Sequence, residues 1–135
     1  MPRVPVSPEV DVFLAQPNPA VVATIRPDGT PHTAATWYDW EDGRVLLNMD
    51  ESRLRLGYIR ANPAVSLTVL AEGDWYRQVT LLGRVVSIEE DEGLRDIDRL
   101  ALRYSPNRYR NRENRRFSAW MKPERWYAWP PPAQA

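Results

Sequence analysis

The stretch "SRLRLGYIRANPAVSL", Ser52 to Leu67, decides how the rest of the chain is read. It predicts a short helix that ends at Asn62-Pro63, because the residue before a proline is pushed out of the helical region. A β-branched strand follows from Ala64. Three arginines ride on the helix. At about 100° per residue, Arg53 and Arg60 share one face, Leu54, Tyr58 and Ala61 a second, and Leu56 and Ile59 a third. Arg55 falls between the two apolar groups, where a guanidinium either snorkels to solvent or meets a partner. Ser52 is a suitable N-cap, and the free N–H groups behind it form an anion site. Asp50 and Glu51 oppose that use, since they satisfy the helix dipole themselves and repel a phosphate. Periodicity alone leaves the arginines between a solvated face and an anion-holding one.

Working outward, "VSPEVDVFLAQP" predicts a short helix with Ser7 as cap, Pro8 at the first helical position and Pro17 as stop. "AVVATIR" (Ala20 to Arg26) reads as a strand, "PDGT" (Pro27 to Thr30) as a turn, and "PHTAATWYDW" (Pro31 to Trp40) as a second strand. "EDGR" turns into a third strand, "RVLLNM". After the arginine helix come "AVSLTVLA" and a long fifth strand, "WYRQVTLLGRVVSIEE", with Gly83 at a bulge or bend. "DEGLRDIDRLALRY" then places Leu94, Ile97, Ala101 and Tyr104 on one helical face, with Leu100 beside them. "FSAWMKPERWYAW" reads as a last strand broken by "KPE". Consecutive hairpins with a crossover helix predict a mainly β fold with α elements, an antiparallel β-barrel with peripheral helices.

Length and composition bound the rest. The 135 residues fit one domain over 1–135, with an N-terminal helix within 1–16 and a mobile tail at 130–135. No apolar run approaches the roughly 18 residues of a membrane helix, and "MPRVPVSPEV" lacks an apolar leader, so a soluble, cytoplasmic chain is expected. The absence of cysteine excludes disulfides and thiolate chemistry, and His32 is the only histidine, so no metal site is expected. Net charge is zero, which speaks against a general nucleic-acid binder. Of the 18 basic residues only Lys122 is a lysine, which supplies forked donors suited to phosphates and carboxylates.

The order and spacing of "NPAVVATIRPDGTPHTAATWYDWEDGRVLLNM", "SRLRLGYIRANPAVSL" and "YRQVTLLGRV" resemble the split β-barrel flavin and deazaflavin oxidoreductases, the pyridoxamine-phosphate oxidase superfamily. The resemblance covers about Pro17 to Trp129. It implies the FMN-binding split-barrel fold and a homodimer with cofactor at the interface. By the same resemblance, Thr33, Thr36, Trp37 and Asn48 lie along the cofactor ring and ribityl chain. Arg53 and Arg55 hold its phosphate, with Arg60 nearby, and Gln78 reaches the cofactor, in one view that of the partner subunit. The Arg53-x-Arg55 spacing resembles the branch that uses coenzyme F420, whereas Gln78 resembles the flavin mononucleotide (FMN) branch. The implied activity is hydride transfer between reduced F420 and a small conjugated organic substrate. The alternatives are an FMN-dependent oxidoreductase and a non-catalytic cofactor-binding protein.

The remaining residues divide between bland and functional uses. His32, Tyr38 and Tyr76 are the candidate proton donors. Tyr38, Trp75 and Tyr76 fit either an aromatic wall over the cofactor or ordinary packing. Trp120, Trp126 and Trp129 fit interface packing. Six arginines crowd Arg103 to Arg116 against one acid, Glu113. They suit a solvated loop, a contact to the oligoglutamate tail that F420 carries, or an RNA contact with Tyr104 and Tyr109 stacking on bases. Neutral overall charge weighs against the RNA-binding barrel that the last use would make.

Overall fold

The computed structural model describes residues 1–132; positions 133–135, the end of the tail expected to be mobile, lie outside the described residues. Helix α1 (Pro8–Leu14) starts as expected, with the Ser7 hydroxyl accepting from the Val10 N–H. Strands β1 (Ala20–Ile25) and β2 (Pro31–Thr36) form a hairpin around Gly29, whose φ of 86° suits only glycine well. Strand β3 (Asp39–Glu41) turns through Asp42-Gly43 into β4 (Arg44–Asp50). Helix α2 (Leu54–Ala61) crosses over to β5 (Ala64–Ala71), which pairs with the long β6 (Asp74–Glu90). A single 3-10 turn (Glu92–Leu94) leads into α3 (Arg95–Tyr104), and β7 (Arg116–Trp129) closes the chain.

All seven strands form one antiparallel sheet in the order β2-β1-β5-β6-β7-β4-β3. The strand predicted over Pro31 to Trp40 is therefore two strands, β2 and β3, at opposite ends of that order. Only Trp37 and Tyr38 join them. So short a link spans about 10 Å at full extension, so the sheet must curl until its two edges meet. Val22, Thr24 and Thr36 from one end face Leu47 and Met49 from the other across a small internal cavity. The core fills this curl, with Leu67, Val69, Leu81, Val45 and Met121 fully buried and α1 and α2 closing it from outside through Leu14, Leu56 and Ile59.

Strand β7 runs unbroken through "KPE", against expectation. Pro123 has no N–H to give a ladder, and the β6–β7 register shifts at Leu82/Gly83, directly opposite it. Gly83 makes that approach possible. A Cβ there would lie 2.1 Å from the Lys122 carbonyl oxygen and 2.8 Å from the Pro123 Cα, both backbone atoms that cannot step aside. Replacing Gly83 by alanine should cost about 1–3 kcal/mol of stability, read as a lower urea midpoint, because the longest ladder of the sheet would have to separate.

Candidate functional site

A cleft of about 630 Å³ opens where the curled sheet meets α2 and α3. It is lined by Ala35 and Thr36 of β2, Trp37 of the link, Asn48 of β4, and Arg53 and Arg55 at the start of α2. Leu100, Arg103 and Tyr104 of α3 and Tyr109 beyond it complete the lining. Its size lies in the range of small-molecule sites.

The positive end of the cleft is built by the chain leaving β4. Ser52 does not cap α2, as the sequence suggested. Its backbone N–H and hydroxyl both turn back to the Asp50 carboxylate, and Arg53 takes the cap position without a side-chain bond. The first N–H groups of α2 are therefore left without a side-chain cap. Burial raises the pKa of Asp50, but the Ser52 hydrogen bonds and the Arg116 and Arg53 charges outweigh it and hold the carboxyl below the usual range. Asp50 lies 3.8 Å from Arg116 and 3.9 Å from Arg53. The repulsive acid expected at the helix start is thus already occupied. Arg55 is half-buried and has no ion-pair or hydrogen-bond partner among the described residues. Burial first, then Arg53 and Arg116, depress its pKa, with only Asp50 acting against them. Arginine nevertheless stays charged near neutrality. Two guanidinium groups thus share one carboxylate, and a third stands beside them without one.

Beneath them runs a buried polar network. Asp91 accepts from the backbone N–H groups of Asp96 and Ile97, so its carboxylate caps α3. It also accepts from Asn48, whose amide donates to Ser118 as well and whose oxygen accepts from Arg116 at 2.7 Å. Asn48, expected along a cofactor, lines the cleft but has spent both its donors inside the protein. Removing Asp91 leaves two helix N–H groups and one amide hydrogen unpaired. Asp91→Ala should therefore destabilise the fold by about 2–4 kcal/mol, measured by thermal unfolding, while Asp91→Asn, which keeps one acceptor, should lose less.

The other expected residues scatter. Thr36, Trp37, Arg53 and Arg55 come together in the cleft with Asn48. Thr33 points outward from β2 and is exposed. Arg60 lies outside the cleft, stacked over Phe117 at 4.8 Å. Gln78 stands beside Phe13 and Trp129, away from the cleft. Tyr38 is corrected as a proton donor. It is fully buried, its hydroxyl donates towards the Leu14 and Gln16 carbonyls at 2.8 and 3.0 Å, and burial pushes its pKa well up. Tyr76 is stacked on Trp75 at the exposed β5–β6 turn, and His32 meets Tyr58 edge-on; neither lines the cleft.

Several residues of the arginine-rich run, which the sequence leaves open between solvated, cofactor-tail and RNA-contact uses, are built into the cleft wall or into the protein beside it. Trp37 lies flat on Tyr104, with centroids 5.6 Å apart and planes at 7°, and meets Tyr109 edge-on. Arg116 is buried next to Asn48 and stacked over Tyr109 at 4.6 Å. Arg103 bonds the Leu14, Ala15 and Gln16 carbonyls. Helical periodicity places Tyr104 on the packed face of α3, whereas the contacts of Tyr109 and Arg116 come from the tertiary fold and carry no periodic signal.

The sequence profile described as pyridoxamine 5'-phosphate oxidase matches residues 6–130. No curated protein matches the sequence. Among solved structures, a protein named F420 reductase superimposes with a TM-score of 0.80 at 28% identity, over 92% of this chain and 98% of its own. The conserved hypothetical protein Rv2991 from Mycobacterium tuberculosis gives a TM-score of 0.69 at 22% identity, over 98% of this chain and 92% of its own. General Stress Protein 26 from Bacillus anthracis gives 0.62 at 22%, over 92% and 94%. The last two carry the fold alone. The curled seven-stranded sheet, the crossover helix with its arginines and a family match over nearly the whole length agree, and the chain belongs to the pyridoxamine 5'-phosphate oxidase family.

Proposed function

We propose that this protein is an F420-dependent oxidoreductase that passes a hydride between reduced F420 and a small conjugated organic substrate. One observation carries the reading: the half-buried Arg55, without a carboxylate of its own and pressed by Arg53 and Arg116, faces a cleft of cofactor size. Such a cluster is costly unless an anion neutralises it. The bidentate fork of arginine suits a phosphate at the uncapped start of α2. Within this reading Arg53 and Arg55 hold the phosphate, and Thr36 and Trp37 flank the ring. When bound, the deazaflavin supplies the hydride; the protein positions it and excludes water. Because Tyr38 is sealed and His32 and Tyr76 stand elsewhere, a substrate proton comes from solvent.

The neighbour named F420 reductase, at 28% identity, and the Arg53-x-Arg55 spacing support the deazaflavin. The family match supports FMN as the second reading, since it does not separate the two. Titration of the purified protein with F420 and with FMN, followed by fluorescence, decides between them. Tight FMN binding without F420 binding would sink the first reading. Arg55→Ala should weaken binding of either cofactor by about 1.5–3 kcal/mol. It should leave the unliganded protein at least as stable, because a repelled, half-buried cation is lost. Unchanged affinity would return Arg55 to the role of a solvated side chain.

A homodimer belongs to the same proposal. Two cross-strand rows cover the outer face of the sheet, Val21–Thr68–Thr80–Tyr127 and Ala23–Ser66–Leu82–Arg125. They hold one charge, and Leu82 and Tyr127 are 37% and 45% exposed. A face this poor in charge suits a second copy of the chain, and it lies on the strands that carry Gln78. Sedimentation velocity should give a dimer, and the double variant Leu82→Arg, Tyr127→Arg should give a monomer with a lower Tm.

A further inference from the structure

Four of the six arginines between Arg103 and Arg116 are used inside the fold. Arg103 bonds helix-end carbonyls and Asp39, Arg112 holds Asp98 through two nitrogens, Arg115 meets Glu90 and Glu51, and Arg116 meets Asn48 and Asp50. Arg108 and Arg110 are different. Both are exposed, and neither forms an ion pair among the described residues. The Arg108 charge helps hold Asp98 ionised, after the Arg112 and Tyr109 hydrogen bonds, but that carboxylate is already taken by the Arg112 fork and the Tyr109 N–H. Both arginines line an annex of about 700 Å³ with Ser105, Asn107, Tyr109 and Trp37. Trp37 and Tyr109 also wall the cleft, so the two spaces meet across one aromatic partition.

The loop that presents this pair is pinned at both ends. The Ser105 hydroxyl donates towards the Ala101 and Asn107 carbonyls and accepts from the Asn107 N–H. At the other end Asp98 fixes Tyr109 and Arg112. Two forked cations on a tethered loop beside a flat indole form a complementary surface for a carboxylate attached to a planar body. Surface arginines that merely keep a protein soluble need no such tether.

We propose that the annex binds the carboxylate of a ligand whose planar part lies along Trp37 towards the cleft. This rests on reading the cleft as the redox site, and where the ligand is the substrate it narrows that substrate to a conjugated carboxylic acid. The same chemistry has a second source, the acidic tail of the coenzyme itself, and the test separates the two.

Cinnamate serves as the planar carboxylate probe, and cinnamamide as its uncharged counterpart. Binding is followed by the Trp37 indole N–H resonance, assigned with Trp37→Phe. Cinnamate should shift that resonance, and its affinity should fall roughly tenfold or more in the double variant Arg108→Ala, Arg110→Ala; cinnamamide should bind weakly to both proteins. In parallel, F420 and its tail-less form are titrated into both proteins. If cinnamate alone weakens in the variant, a separate acidic substrate uses the annex. If tailed F420 alone weakens, the coenzyme's carboxylates use it. Equal cinnamate and tailed F420 affinities in the two proteins, or cinnamamide binding as well as cinnamate, would overturn the proposal, and so would a cinnamate affinity lost only in Arg55→Ala. Failure of both coenzyme forms and of FMN to bind the native protein would sink the redox reading and leave the cinnamate comparison standing as a test of the annex.

Discussion

The rest of the structure depends on one guanidinium over one phenol. Arg103 stands 5.1 Å above the ring of Tyr38, and both side chains bond to the same chain end, the carbonyls that close α1. Arg103 also pairs with Asp39 at 3.2 Å. This knot gathers the end of α1, the link between the two sheet edges, and α3. Helix ends leave carbonyls unpaired, and a cation placed there satisfies them and the dipole together. The sheet can curl because its edges, β2 and β3, are held by this knot instead of by a ladder. Trp37, the neighbour of Tyr38, is thereby set flat on Tyr104 at the mouth of the cleft.

Stability and binding pull against each other at the start of α2. A well-packed protein would give Arg55 a carboxylate or replace it with an apolar residue. Here the acid that acts on it, Asp50, is shared by Arg53 and Arg116 and already accepts from Ser52. Asp91, linked to Arg116 through Asn48, gives the contrast. There every polar hydrogen of Asn48 and the first N–H groups of α3 find an acceptor. The network beneath is satisfied, so the cations above it are held in place without being neutralised. Uncompensated charge on a rigid floor is what an anion site requires.

Much of the fold was legible because it follows from local periodicity. Strand β5 and helix α1 begin and end close to where the pattern and the prolines put them, and Gly83 marks a bulge as its position within an apolar strand suggested. Legibility failed where a local rule met a tertiary demand. Ser52 has the right chemistry for an N-cap, but Asp50 offers it a nearer acceptor. The alternation from Pro31 to Trp40 looks continuous because β2 and β3 both keep it, while the break between them comes from pairing with different strands. Pro123 looks like a strand breaker until the glycine opposite it is known.

The sequence by itself determined most of the element order, the absence of thiolate chemistry and the arginine pair at the start of a helix, because these are properties of composition and spacing. It also singled out Arg55 as a charge lodged between apolar neighbours. Only the tertiary structure decided which arginines are free to meet a ligand. Arg103 and Arg116, placed by the sequence in a polar run, are tied to carbonyls, Asp39, Asn48 and Asp50, whereas Arg55, Arg108 and Arg110 have no such partner among the described residues. The physical reason is that a charge is neutralised by whatever lies within a few ångströms of it in space, and the curl of the sheet brings together residues dozens of positions apart.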